Sequence, residues 1–538
     1  MRERFSILLT TRRWQELLAY VVALLPVGWM IGRVHQATLF NYLDYWDAFR
    51  RITHPDGSLH VRGLFTYQNE HPILVPNVVY FLSARFFGGT NRVLGYYSVI
   101  VAVGMVLVLR ALLPAHWSSV ARAWATAALS AAVLCPAGVW NFARGMSGTA
   151  WLTADLLALL AILLAARGHT RAALAPAALA MASYGTGFGA PIALALIAVL
   201  RREARWRWAA PAALFAVGAA VYASSHHSNG SGTGVTHSPM LFASTFLSLL
   251  GMLVDPEGGA LSVTIGAAGV LVLVSAFAKA WRRPALADLV PWFAVALFSL
   301  CAVALVSLAR SETFNGDGVQ SRYTSLSALF WIAVAIVSVR THLATRGVVL
   351  QVGALATGLA VFYATSPTLV TNATAASQSQ DLVATAARLG IADGFQTQFH
   401  SPDDQIVRLK ALHAYPFNDR FSLGCGHRVP GDAIDPTAIR PLVVDQHATY
   451  GSLDSRTIVG SATYYRGWLR RSLPLQCVLV VDSNGVIVGG GAVGFFRDDV
   501  QHAHHSFSSH LGFEAVAPAA DADQRLVLGF ADGFWSLQ

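Results

Sequence analysis

Two acidic residues, Asp44 and Asp47, stand three apart in "FNYLDYWDAFRR", and further on "FTYQNEHPILVP" sets Asn69, Glu70 and His71 side by side ahead of Pro72. On a helix, the i, i+3 spacing would put both aspartates on one face. A carboxylate so placed can take a proton from an attacking hydroxyl. A second acid orients the acceptor or raises the first one's pKa by like-charge repulsion. An imidazole or guanidinium then steadies an anionic leaving group. The plainer alternative is that Asp47 pairs with Arg50 or Arg51 as a solvated surface contact. Asp44 has no basic residue three or four positions on.

These polar groups are set in a very apolar chain. Of 538 residues, 54% are hydrophobic and only 12% charged, about half the usual charge of a soluble protein. Apolar runs recur from Ala19 to Phe362, which implies many membrane spans. The net charge of +9 does not imply nucleic acid, because the arginines cluster in short loops between apolar runs, as cytoplasmic loops do. Arg2, Arg4, Arg12 and Arg13 hold the N-terminus inside.

The first span covers about 16–34, and a long polar loop, 35–92, is then outside. Spans follow at about 93–112, 123–140 and 149–166. The stretch 172–200 reads as two short spans broken at "SYGTGFG", because "RGHTR" and "RREARWRW" must share the cytoplasm. Further spans lie at about 209–225, 260–280, 287–309, 324–339 and 347–365, for a total of about eleven. A short apolar stretch, 240–254, is stopped by "DPEGG" and reads as re-entrant or interfacial. The expected architecture is therefore a polytopic α-helical membrane domain, 1–366, in the inner or plasma membrane, with a cytoplasmic N-terminus.

After Pro367 the composition changes, and 367–538 reads as an extracytoplasmic α+β or β-rich domain. Residues 377–389 look helical, and "SPDDQIVRLKALHAY" opens a second helix at Pro402. "CVLVVDSNGVIVGGG" is two apolar runs around a Ser-Asn-Gly turn, and "RLVLGFADGFWSL" is a second hairpin. Cys425 and Cys477 lie in this polar region and are the natural disulfide pair if it is outside the cytoplasm; Cys135 and Cys301 lie in apolar runs as small hydrophobes. The histidines of "QHAHHSFSSH" lack a Cys or a regularly spaced Glu, so no metal site is read. Arg310 and Glu312 read as a local pair.

The order of parts resembles the GT-C class of polyprenyl-phosphate-sugar-dependent glycosyltransferases: a first span, a large outer loop with acids just after it, many spans, then a soluble outer domain. Within the loop, "LDYWDAFRR…NEHPILVPNVVYFLSARFFGGTN" is similar to a bacterial group of such membrane proteins with an Asn-Glu-His element. The resemblance extends to "SRYTSLSALFW" and to "YYRGWLRR…VLVVDSNGVIVGGG…RDDV…GFEAV", which looks like the β-sandwich modules appended to these enzymes. It departs where two residues separate Asp44 from Asp47, since several such families have adjacent acids.

What the resemblance implies is a sugar transferred from a polyprenyl-phosphate carrier to an envelope glycan, lipid or protein, at the outer face. Asp44 or Asp47 would be the base, the other acid and Glu70 would place the acceptor, and His71 and Arg322 would steady the lipid-linked phosphate, with Asn69, Arg144 and Tyr323 as further substrate-binding residues. Trp468 and Trp535 would stack on glycan. No cofactor is implied, and families of this class differ in whether a divalent metal helps. The competing readings are a transporter or flippase of lipid-linked sugars, for which Asp155 and Asp288 are the ionisable residues in or beside spans, and a non-catalytic envelope scaffold.

Overall fold

The computed structural model describes residues 2–68, 71–225, 238–256, 258–281, 288–312, 321–342, 367–391, 402–442, 450–470, 474–503, 510–519 and 523–537. The chain divides into two compact units. The first comprises Met1–His35, Leu64–Val79 and Leu94–Val370; the second comprises Gln36–Gly63, Tyr80–Val93 and Thr371–Gln538.

In chain order the helices are α1 (Arg2–Gln36), α2 (Asp44–Ile52), α3 (Leu74–Phe87), α4 (Asn91–Leu112), α5 (Ser119–Val133), α6 (Trp140–Ala143) and α7 (Gly145–Ala166). They continue as α8 (Thr170–Met181), α9 (Gly189–Leu200), α10 (Arg205–Ser225), α11 (Pro239–Gly251), α12 (Ala260–Trp281), α13 (Val290–Arg310) and α14 (Thr324–His342). The last three are α15 (Pro367–Leu389), α16 (Pro402–Ala411) and α17 (Asp498–Ala503).

Among the described residues, eight helices are long and apolar enough to cross a membrane: Arg12–Gln36, Asn91–Leu112, Ser119–Gly138, Gly145–Ala166, Arg205–Ser225, Ala260–Trp281, Val290–Arg310 and Ser321–Thr341. At 1.5 Å per residue, about twenty residues match the hydrocarbon core of a bilayer. The protein is membrane-embedded. The break expected in 172–200 is present: α8 and α9 have 12 residues each, too few to cross alone, and a tight 3-10 turn at Gly185–Phe188 separates them. The eleven expected spans thus comprise eight long helices, this broken pair, and a stretch at 347–365 that lies outside the described residues. The short run after 239 is the 13-residue α11, and Asp255 beyond it accepts hydrogen bonds from the Gly259 and Ser262 amides, satisfying orphan donors at the start of α12.

The stretch 35–92, read as a loop, contains regular structure. Besides α2 it holds a two-stranded ladder, β1 (Tyr67–Gln68) with β2 (His71–Pro72), and the 14-residue apolar α3. "ILVPNVVYFLSARFF" is too short to span, which is why hydropathy passed over it.

In the second unit a single sheet dominates. Its strands are β3 (Ile439–Pro441), β4 (Tyr450–Val459), β5 (Ala462–Arg470), β6 (Cys477–Val481), β7 (Ile487–Phe496), β8 (His510–Pro518), β9 (Arg525–Phe530) and β10 (Gly533–Ser536), in the order β3-β10-β9-β6-β7-β8-β5-β4. All neighbours are antiparallel except β3 with β10. Both expected hairpins form, β6 with β7 and β9 with β10, and Gly485 supplies the positive φ of the first turn. The sandwich-like expectation is corrected: every described strand of this unit's sheet joins one continuous ladder rather than two facing sheets. Tyr465, Leu469, Val478, Val480, Phe513 and Leu528 pack together as its core.

The Cys425–Cys477 disulfide is formed. Gly529 of β9 pairs with Cys477 in the ladder, and a Cβ there would run into both sulfurs. The glycine is what lets the disulfide lie against the sheet.

Candidate functional site

In the first unit the site grows from the β1–β2 ladder, where Gln68 stands opposite His71. Asn69 and Glu70, between them in the chain, lie outside the described residues. The imidazole of His71 stacks on Tyr184, with centroids 3.9 Å apart. Tyr184 reaches it because the α8–α9 break puts its backbone in an extended conformation, out of line with both helices. The next residue must be small: a Cβ on Gly185 would stand 3.0 Å from His71 Nδ1. Trp151 of α7 lies 3.9 Å from Tyr184 on the other side, and Tyr323 meets Trp151 edge-on at 4.7 Å. Four rings from four stretches of the chain therefore form one continuous contact.

Cations flank this aromatic row. The Arg322 guanidinium lies 5.3 Å from the Tyr323 ring, and its main-chain oxygen accepts from Asn141 Nδ2 at 2.8 Å. Thr324 donates to the Ala137 carbonyl, so the start of α14 is fixed on both sides of Tyr323. Burial holds His71 well below the ordinary imidazole range, and the charges of Arg310 and Arg322 push it the same way. His71 is thus neutral at physiological pH, with one ring nitrogen to donate and one to accept. Arg310, in the last turn of α13, is one of the two guanidinium groups whose charge reaches His71. Arg144 stands between α6 and α7, at the N-cap position of α7, and lies over the Trp140 ring at 4.2 Å.

Asp44 and Asp47 belong to the second unit, on α2 as the spacing predicts. The opposite face of α2 is apolar and buried: Tyr45, Trp46, Ala48, Phe49 and Ile52. Trp46 Nε1 donates to the Asn41 carbonyl, and Gln405 Nε2 donates to the Trp46 carbonyl. Arg408 Nε holds the Thr53 carbonyl beyond the last turn. This packing leaves both aspartates half-buried, with no side-chain hydrogen bond or ion pair to a described residue. Arg51 turns its Nε to the main-chain oxygen of Asp47, and both carboxylates act on its guanidinium through space.

On the sheet, Trp468 stands on β5 and Trp535 on β10, each the second strand from an opposite edge. Trp535 packs against the sheet's apolar core, under the Arg440 guanidinium. Arg497, of the "RDDV" element, bridges Asp454 and Asp499, which ties β4 to the start of α17. No cluster of three or more metal-ligating side chains occurs among the described residues; His502 pairs with Asp498 four positions earlier.

Tyr184, Trp151 and Arg310 were not singled out from sequence as part of the site. Trp151 looked like one more apolar residue of a span, and "SYGTGFG" marked a helix break with no sign of what the tyrosine would meet. The chain matches none of the protein-family models and none of the curated proteins with which it was compared.

Proposed function

We propose that the protein is a membrane glycosyltransferase that takes a sugar from a polyprenyl-phosphate carrier and passes it to an envelope glycan, lipid or protein acceptor. The observation that carries this reading is the row His71–Tyr184–Trp151–Tyr323 with Arg310 and Arg322 beside it. Aromatic faces suit sugar rings, and guanidinium groups suit a phosphate. A neutral, half-buried imidazole donates a hydrogen bond to a phosphate oxygen without adding a third charge.

In this reading the acceptor hydroxyl attacks the anomeric carbon, the bond to the carrier phosphate breaks, and the phosphate leaves as an anion stabilised by Arg322 and Arg310. Asp44 or Asp47 takes the hydroxyl proton, and the other acid and Glu70 place the acceptor. The assignment of the base rests on chemistry: among the described residues of 35–92 these are the acids held half-buried on a rigid helix. Transfer takes place at the extracytoplasmic face; the Cys425–Cys477 disulfide supports an oxidising compartment for the second unit. Trp468 and Trp535 are assigned to glycan contact.

The test is mass spectrometry of polyprenyl-phosphate sugars in cells lacking the protein, complemented with wild type, Asp44→Asn, Asp47→Asn or Arg322→Ala. One lipid-linked sugar should accumulate without the protein, clear with wild type, and persist with Arg322→Ala and with at least one Asn variant. An unchanged lipid pool sinks the donor assignment. A second reading, transport of the lipid-linked sugar, draws on Asp155 in α7. It gains if both Asn variants clear the donor fully while the sugar still crosses the membrane.

A further inference from the structure

We infer that Asp155 of α7 and Ser325 of α14 form a proton-binding site inside the helix bundle, closed over by the Trp151–Tyr323 contact. The inference is independent of the sugar-transfer reading.

Asp155 is fully buried, and neither carboxyl oxygen is in a formed hydrogen bond with a described residue. The polar group it faces is Ser325, itself 5% exposed, with its hydroxyl also outside any formed hydrogen bond. Trp151 lies one turn before Asp155 on α7, hence on the same face, and Tyr323 lies two residues before Ser325. Both rings are 2% exposed. The acid therefore sits directly behind the aromatic row.

A bare carboxylate without a counter-charge is expensive in such a place, and intramembrane acids are kept for a task. The elements packed on α7 offer few charges. Those of α4, α6, α8, α13 and α14 are Arg92 and Arg110, Arg144, His169 and Arg171, Arg310, and Arg322, Arg340 and His342, all at or beyond helix ends; α9 carries none, and Arg201 just past it bonds the last carbonyls of α7. The uncharged titratable groups are Tyr184 before the α8–α9 turn, Cys301 on α13, Tyr323, and Tyr97 of α4, whose hydroxyl bonds Thr153. None of them acts on the Asp155 carboxyl; Ser325 alone does. With no cation to pair with among the described residues, the group that satisfies the site is a proton, and its exchange with water requires Trp151 or Tyr323 to move.

The test treats the full-length protein in detergent with dicyclohexylcarbodiimide, which is apolar and reacts with a protonated carboxyl. The acid proton passes to a carbodiimide nitrogen, the carboxyl oxygen bonds the central carbon, and the acyl group then migrates to nitrogen. The aspartate gains the whole reagent, and peptide mass spectrometry locates it. The expected adduct lies on Asp155, forms more slowly as pH rises, and is absent with a water-soluble carbodiimide. It disappears in Asp155→Asn and forms faster in Trp151→Ala, where the cover is removed. Mapping in the wild-type protein makes the result independent of whether Asp155→Asn folds. An Asp155 adduct absent from both wild type and Trp151→Ala overturns the inference. So does one formed equally by the water-soluble reagent, or at a rate indifferent to pH.

Discussion

The imidazole of His71 lies on the ring of Tyr184, centroids 3.9 Å apart and planes inclined by 29°. The contact joins the β1–β2 ladder to the α8–α9 break, so each holds the other in place. An aromatic pair is worth about 1 kcal/mol beyond burial, a factor of roughly five in an equilibrium. Tyr184→Phe keeps the ring and should clear the lipid-linked donor nearly as wild type does. Tyr184→Ala should clear it roughly fivefold or more slowly, and Gly185→Ala should resemble it by displacing His71. Equal rates for the Phe and Ala variants would show that the stack does not matter to turnover.

Arg322 presses His71 towards its neutral form. Removing that charge in Arg322→Ala lets the imidazole protonate at a higher pH than in wild type. The acid-side fall in activity should move to higher pH, while the fall in maximal rate reflects a lost charge-assisted bond of about 1.5–3 kcal/mol, roughly ten- to a hundredfold. Burial is the larger cause of the depressed value, so the limb should still lie below the ordinary imidazole range. A pH–rate profile of the two proteins checks this.

If Asp44 or Asp47 is the base, its Asn variant should lose about a hundredfold or more in rate. Both side chains are half-buried and make no side-chain bond to a described residue, so melting temperatures should stay within a degree or two of wild type. Loss of activity accompanied by a large fall in melting temperature would assign the residue a structural role instead.

Asp381 predicts a pH dependence of stability in the second unit. Its residue surface is partly accessible, but its carboxyl is set in packed interior, accepts from the Thr38 hydroxyl at 2.6 Å, and is pushed up to about 6 by burial. Arg92 opposes that shift. Between the unfolded value near 4 and the folded value, the native state binds more protons than the unfolded state. Stability from this group is therefore complete below the unfolded pKa and lost as pH rises through 6, a change of up to about 3 kcal/mol. Denaturation at a series of pH values should show the decline in wild type and a flatter profile in Asp381→Asn.

The disulfide closes a 52-residue separation, for which chain-entropy reasoning gives about 4 kcal/mol. Cys425→Ser or Cys477→Ser should lower the unfolding midpoint of the second unit accordingly. Gly529→Ala should do so too, with free thiols appearing, because the added methyl collides with both sulfurs. Full disulfide formation in Gly529→Ala, by thiol counting, would contradict the packing described.

By itself the sequence determined the features that depend on neighbours along the chain. A bilayer forces backbone groups to be satisfied within each segment, so long apolar runs became helices close to their expected limits. The glycines of "SYGTGFG" broke the helix where they stand, the Ser-Asn-Gly turn closed its hairpin, and three-residue spacing put Asp44 and Asp47 on one helix face. Tertiary structure decided whatever depends on which element meets which. Hydropathy registers Trp151 only as one residue of an apolar span, so it carries no sign that Trp151 touches Tyr184 and Tyr323. Nothing local in 36–63 or 80–93 tells that these stretches cluster with residues 371–538 in one compact unit. The sheet order is likewise a long-range choice, made by side-chain packing across strands, and it replaced the expected sandwich with one continuous ladder.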